Sequence, residues 1–184
     1  MFIDPSKFSF VADLESDWQT IRDELVSLPS DAFDPWVQRQ MHGDGWSVYG
    51  LFAMGKKIKR ACQACPKTAE ILSRIPGVSL AGFSRLAAKT HIKPHVGWAK
   101  SVYRLHLGLI VPDECGLRVG SETKNWVEGK CLVFDDTVEH EAWNRSDHPR
   151  STLMLDFLRP GITDFSGDNV PDEVRAYVSR LELQ

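Results

Sequence analysis

Two histidines and an arginine, His95, His140 and Arg150, are the residues of this chain whose types and spacing could assemble a redox metal site. Imidazole nitrogen binds iron, zinc, copper or nickel. His95 follows Pro94 in K-P-H-V-G-W, and His140 sits in V-E-H-E-A-W, 45 positions later. Singly, each reads as an ordinary surface or core histidine. Together they can share one ion only if the chain folds back through a barrel. Arg150 lies ten residues beyond His140, within reach of a hairpin return. Its planar fork can hold a carboxylate through two parallel hydrogen bonds. Arg104 and His106 alternate with Leu105 and Leu107, so on a strand the polar pair shares one face and the leucines the other. Turned inward, that pair needs an anion, because an unpaired buried charge is costly; turned outward, it is simply solvated. Asp135, Asp136, Glu139 and Glu141 flank His140. They read as a turn and as solvated strand-edge charge, with an imidazole-orienting carboxylate as the alternative. Trp98, Trp126 and Trp143 read as packing residues. Arg85, Lys89, Lys93 and Lys100 put positive charge near His95 in sequence.

The elements that must position these groups are legible in outline. Leu14, Trp18, Ile21, Leu25 and Leu28 recur at helical spacing over four turns, and Pro29 ends the run. Trp46–Met54 is aromatic and β-prone and reads as a strand. Lys56–Ala64 and Pro66–Ile75 read as two short helices, the second opening on a proline in its first turn. From Val78 the pattern changes to short β-prone runs between glycine and Asp-Asp turn signals: Val78–Lys89, Tyr103–Val111, Leu117–Val119, Cys131–Phe134, His140–Asn144 and Ser151–Leu158. Such spacing favours an antiparallel sandwich or barrel over βαβ units. Asp172–Leu183 reads as a closing helix with Val174, Tyr177, Val178 and Leu181 on one face. The expected fold class is α+β with a mainly β core, a double-stranded β-helix or jelly roll of cupin-like type. A helical lead-in occupies about residues 1–77, the core about 78–160 and the C-terminal helix about 171–183, all within one domain of 1–184.

Composition narrows the function classes. A chain of 184 residues with 42% apolar and 26% charged residues is long enough to bury a substantial core. Its net charge of −3 argues against a nucleic-acid partner held by bulk positive charge. The N-terminus has no signal-peptide pattern. No stretch approaches the roughly 20 apolar residues of a membrane span, so a cytoplasmic protein without a membrane partner is expected. Cys62 and Cys65 form a C-x-x-C without a second pair at zinc-finger spacing, so the four cysteines read as free thiols.

The motifs H-V-G, R-L-H-L-G-L, W-V-E-G-K and F-D-D-T-V-E-H-E-A-W, followed by the later arginine, resemble the aspartyl/asparaginyl β-hydroxylases among the Fe(II)/2-oxoglutarate-dependent dioxygenases. The resemblance runs from Gly43 to Pro160, with G-D-G-W-S, C-P-K-T and F-S-R-L-A-A-K-T-H-I-K-P-H upstream in the same order. It implies that His95 and His140 hold Fe(II) and that Arg150 grips the distal carboxylate of 2-oxoglutarate. Ser84, Arg104, His106 and Trp46 would line the co-substrate, and O2 would be the oxidant. The wider superfamily places a carboxylate two positions after its first histidine; here that position is Gly97, a lack this family shares. The implied reaction is hydroxylation of the β-carbon of Asp or Asn, in a peptide, a carrier-bound residue or a small amino acid, with release of succinate and CO2. The alternatives are a soluble relative of the lipid A acyl hydroxylases and a cupin-like metal or small-molecule binding protein without turnover.

Overall fold

The computed structural model describes residues 1–182, so the expected last helical residue, Leu183, lies outside the described residues. In chain order the strands are β1 (Phe2–Ile3), β2 (Asp34–Pro35), β3 (Trp46–Ala53), β4 (Lys56–Lys57), β5 (Val78–Leu86) and β6 (Thr90–His95). They continue as β7 (Val102–Ile110), β8 (Cys115–Val119), β9 (Glu122–Lys124), β10 (Cys131–Phe134), β11 (His140–Asn144) and β12 (Arg150–Leu158). The helices are α1 (Phe10–Ser16), α2 (Trp18–Ser27), α3 (Lys59–Ala64), α4 (Pro66–Ser73) and α5 (Asp172–Glu182). The large sheet runs β1-β10-β7-β12-β5-β3-β2 with β4 hydrogen-bonded to β3, and a smaller sheet runs β6-β11-β8-β9. Every pairing between these strands is antiparallel. This is the jelly-roll architecture expected from the spacing of the turns. Among the described residues no helix is long and apolar enough to cross a membrane.

Side-chain alternation divides the large sheet. Register pairs Leu107 with Leu153, Leu105 with Leu155, and Leu153 with Phe83. These residues are fully buried, on the face where α2 packs against β7. The opposite face carries Trp46 and Val48 of β3, Ser84 of β5, Arg150, Thr152 and Met154 of β12, and Arg104 and His106 of β7, again matched in register. The polar pair of β7 is therefore turned inward, and the leucines between them anchor the sheet to its helices.

Several boundaries differ from the sequence reading. The first helix is two helices that break at Asp17, whose backbone N–H still bonds back to the Asp13 carbonyl. The helix expected from Lys56 begins at Lys59, because Lys56 and Lys57 pair with β3. The run Val78–Lys89 ends at Leu86, and a separate strand, β6, delivers His95. The sheet also does not begin at Val78: β3 lies beside β5 within it, so the lead-in supplies part of the β core.

Candidate active site

The small sheet brings the two histidines together. His140 on β11 stands directly opposite His95 on β6, which puts both side chains on one face. Their ring centroids are 4.2 Å apart. Each ring is fixed by the same device: Nδ1 lies 2.8 Å from a backbone carbonyl two residues earlier, Lys93 for His95 and Val138 for His140. A carbonyl can only accept, so both imidazoles carry their proton on Nδ1, and both Nε2 lone pairs are left for a ligand. Burial keeps the rings neutral. It lowers the pKa of His95, and it lowers that of His140 to about 3 with His95 adding to the effect.

A third group reaches this point from an unexpected direction. Asp136 is only 1% exposed, and its Oδ1 lies 3.3 Å from His140 Nε2. Since that nitrogen carries no proton in the tautomer above, two acceptors face one another with nothing between them. A cation would resolve that contact. Asp136 also explains Gly97: a Cβ built there would fall 1.5 Å from Asp136 Oδ2. The Gly97 N–H donates to the Asp136 carbonyl at 2.8 Å. The space that a carboxylate-bearing residue 97 would fill already holds a carboxylate from the β10–β11 turn. The reading of this acidic cluster as turn and surface charge is thus corrected for Asp136 and holds for its neighbours. Asp135 accepts from Thr137 and pairs with Arg159, and Glu139 and Glu141 pair with Arg118 at the surface. Among the described residues no three His, Cys, Asp or Glu side chains form a complete cage. The nitrogen donors that face one another at this point are the two imidazoles.

At the histidines, one small cavity is lined by all seven of the residues expected to hold metal or co-substrate: His95, His140, Arg150, Arg104, His106, Ser84 and Trp46. Arg150, 1% exposed, stacks over Trp126 with its Cζ 4.4 Å from the ring centroid. Its Nη1 donates to Thr152 Oγ1 at 3.0 Å, while its Nε is buried without a partner. Among the described residues it has no ion-pair partner, and burial lowers its pKa to about 10, so it remains a cation near neutrality. His106 is the second orphan. Trp126 Nε1 donates to its Nδ1 at 3.3 Å, so the ring proton sits on Nε2, and that atom too is buried without a partner. Burial and the Arg150 charge hold the His106 pKa well below the usual histidine value. A buried cation and a buried N–H donor without acceptors are what a carboxylate ligand would satisfy. Ser84 accepts from Trp46 Nε1 at 3.0 Å, which leaves its own hydroxyl proton available.

Arg104 lines the same cavity with its fork engaged. It donates from Nε and Nη2 to Asp156 at 2.7 and 2.8 Å, and from Nη1 to Asp136. It positions Asp136 beside the histidines rather than offering free donors. The basic residues near His95 in sequence do not converge on the site: Arg85 stacks on Phe33 and Lys89 pairs with Asp147. All four cysteines are free, and burial raises their thiol pKa values.

Residues 15–160 match the family described as Aspartyl/Asparaginyl beta-hydroxylase. An ornithine lipid ester-linked acyl 2-hydroxylase from Rhizobium tropici is 37% identical over 168 residues, 85% of this chain and 60% of its own length. The human aspartyl/asparaginyl beta-hydroxylase is 34% identical over 170 residues, 88% of this chain and 22% of its own length. The chain thus spans less than two thirds of the length of either relative. Among solved structures, a 2OG-Fe(II) oxygenase family oxidoreductase from Burkholderia pseudomallei superposes with a TM-score of 0.55. At 12% identity over 84% of this chain and 92% of the other, that likeness speaks for the jelly-roll fold alone. With the paired histidines, the cavity beside them and a match over residues 15–160 in hand, the chain belongs to the aspartyl/asparaginyl beta-hydroxylase family.

Proposed function

We propose that this chain is an Fe(II)- and 2-oxoglutarate-dependent dioxygenase domain that hydroxylates an aliphatic C–H bond. The observation that carries the reading is Arg150: a fully buried guanidinium with no carboxylate partner, beside the unpaired Nε2–H of His106. His95 and His140 would hold the metal through Nε2, with Asp136 adding negative charge at its edge. The distal carboxylate of 2-oxoglutarate would accept from Arg150, His106 and Ser84. When bound, iron with 2-oxoglutarate and O2 supplies the oxidising chemistry, inserting one oxygen atom into the substrate while 2-oxoglutarate becomes succinate and CO2. The protein's share is placement. The two backbone-locked imidazoles fix the metal, the anion hole fixes the orientation of the co-substrate, and the apolar walls exclude water.

Manganese(II) is a redox-inert probe of the metal site. Titration with Mn(II) and 2-oxoglutarate in the absence of O2 should show mutually dependent binding of the two. His140→Ala should remove metal binding. Retention of Mn(II) affinity by that variant would overturn the assignment, and 2-oxoglutarate binding that ignores Arg150→Ala would overturn the anchor. Turnover is read as succinate release from Fe(II), 2-oxoglutarate and a substrate. The family description points to the β-carbon of Asp or Asn in a small molecule, a peptide or a carrier-bound residue, and the Rhizobium tropici relative points to an acyl chain.

A further inference from the structure

His42 is a buried imidazole, 7% exposed, in the segment that joins β2 to β3, and the site described above leaves it unused. Trp36 and Trp46 continue the antiparallel register in which Asp34 stands opposite Val48 and Pro35 opposite Ser47. The Trp36 N–H donates to the Trp46 carbonyl at 2.9 Å. A hydrogen-bonded antiparallel pair ordinarily exchanges a second bond in return. Here the His42 ring stands in its place: the Trp46 N–H donates to Nδ1 at 3.3 Å, and Nε2 lies 3.2 Å from the Trp36 carbonyl. One ring nitrogen must accept and the other must donate, so only a neutral imidazole protonated at Nε2 completes the bridge. His95 and His140 hold the opposite tautomer.

Both bridged residues are walls of the site. Trp46 lines the cavity at the histidines, and its Nε1–H donates to Ser84 Oγ, which leaves the serine proton for that cavity. Trp36 lines a second, more apolar chamber that shares Trp46, His95, Arg104 and Met154 with the first. Its ring packs 5.2 Å from that of Trp46 and, edge-on, 6.0 Å from that of Tyr177 on α5, the helix that roofs the chamber. Gln38, in the same segment, donates to Glu173 of α5 at 3.2 Å. The far end of the segment is clamped separately. The Ala87 N–H donates to the Gly45 carbonyl at 2.8 Å, and a Cβ at position 45 would fall 2.1 Å from Thr90 Oγ1.

Resting on the hydroxylase reading, we propose that His42 is a positioning residue for the co-substrate: its imidazole bridges Trp46 to Trp36, and through the Trp46 indole it aims the Ser84 hydroxyl at the carboxylate held by Arg150. The ring also meets the Trp46 indole edge to face, with centroids 5.4 Å apart, so it fixes that side chain as well as its backbone. A charged imidazole carries a proton on both nitrogens. Its Nδ1–H would then oppose the Trp46 N–H, donor against donor, and the bridge would open at Trp46. Burial keeps the ring neutral by lowering its pKa, and the Trp36 carbonyl acts the other way. Among the described residues the charged groups acting on it are Arg39, which lowers the pKa, and Asp44, which raises it; they pair with each other at 2.7 Å. Acid should therefore release Trp46, and with it Ser84, as pH falls through the His42 pKa.

Three measurements on the full chain test this. In nitrogen-15 spectra of the metal-free protein at pH 7.5, His42 should carry its proton on Nε2, while His95 and His140 carry theirs on Nδ1. On acidification the Trp46 indole N–H resonance should shift with the midpoint at which His42 charges, and this step should be missing in His42→Asn. In the presence of Mn(II), His42→Leu should bind 2-oxoglutarate about three- to tenfold more weakly, the worth of one well-placed hydrogen bond. Mn(II) affinity measured without 2-oxoglutarate should be unchanged, which separates repositioning from loss of the fold. His42→Asn keeps an acceptor for the Trp46 N–H and cannot charge, so it should restore most of the affinity; it also carries the binding arm if His42→Leu does not fold. Any of four results overturns the proposal: an Nδ1-protonated His42, a Trp46 indole that ignores the charging of His42, a His42→Leu that binds 2-oxoglutarate as the native chain does, or a His42→Asn no better than His42→Leu. If the native chain binds no 2-oxoglutarate with Mn(II), the hydroxylase reading fails instead, and the tautomer and indole titration still decide whether His42 holds Trp46.

Discussion

Arg150 and Asp136 mark the two ends of what single residues contribute to this site. Arg150 stands out in sequence because a planar cation at that remove from a candidate ligand histidine invites an anion, and the structure buries it without one. Replacement by lysine keeps the charge but loses the fork, so the apparent affinity for 2-oxoglutarate should drop at least tenfold, as read by titration in the presence of Mn(II). Asp136 was not legible in the same way. An Asp-Asp pair after a strand has a sufficient explanation as a turn, and its neighbour Asp135 does form that turn. Nothing in the types of two adjacent aspartates says that one is half-buried in a pair with Arg159 and the other 1% exposed against a histidine. The contact with Gly97 turns this into a sharp expectation. In Gly97→Ala the new methyl would overlap the Asp136 carboxylate, whose Oδ2 is 1.5 Å from the Cβ position. The carboxylate must then leave, and metal affinity should fall about 10–100-fold, the usual cost of losing a group that supports a metal ligand. Mn(II) titration followed by electron paramagnetic resonance would read this. An unchanged affinity would mean that Asp136 plays no part at the metal.

At the scale of elements, the alternation of Arg104, Leu105, His106 and Leu107 was readable because a strand's period of two leaves no other arrangement once the leucines are buried. Strand β6 was harder. Its sequence T-H-I-K-P-H is mostly polar and only Ile92 is buried, so it carries no apolar period; what holds it is pairing with β11. Helix ends likewise depend on partners remote in sequence. Pro66 was expected in the first turn of α4, but the Lys67 and Thr68 N–H groups are capped by Glu24 from α2, at 2.9 and 2.8 Å, and the Thr68 hydroxyl adds a third bond at 2.6 Å. No local pattern reveals a cap supplied from 43 residues away. Glu24→Ala should leave those donors unpaired at a helix N-terminus and cost about 1–2 kcal/mol. Urea denaturation should show this as a lower midpoint at an unchanged slope, with 2-oxoglutarate binding unaffected.

For the molecule as a whole, two facing sheets accomplish what neither does alone: one presents the paired histidines and the other the anion hole. The jelly roll was readable from turn spacing, whereas the chamber beside the site was not, because it exists only where α5 closes over β3 and β5. Burial of the site also couples it to pH. In the folded state His95, His106 and His140 all have pKa values lowered by burial, that of His140 to about 3. In the unfolded chain they titrate near 6.5. Below that value the unfolded state binds more protons than the folded one, so stability rises with pH. The contribution is complete above about pH 6.5 and is lost as pH falls towards about 3. Asp135, held at about 2, adds its own loss only below about pH 4, where the unfolded carboxyl takes up a proton and the folded one does not, so it leaves the slope between pH 7 and pH 5 unchanged. Between pH 7 and pH 5 the loss from His140 should be about 1–2 kcal/mol, with His95 and His106 adding in the same direction. Mn(II) should add a nearly constant stabilisation across this range, because the folded imidazoles it binds are already unprotonated at Nε2. Denaturation midpoints at pH 7, 6 and 5, with and without Mn(II), would test both statements. His140→Phe should flatten the metal-free slope by the share of one histidine and abolish the Mn(II) effect. A profile that is flat in the native chain, or a Mn(II) effect that persists in the variant, would show that these imidazoles are neither desolvated nor joined at one ion.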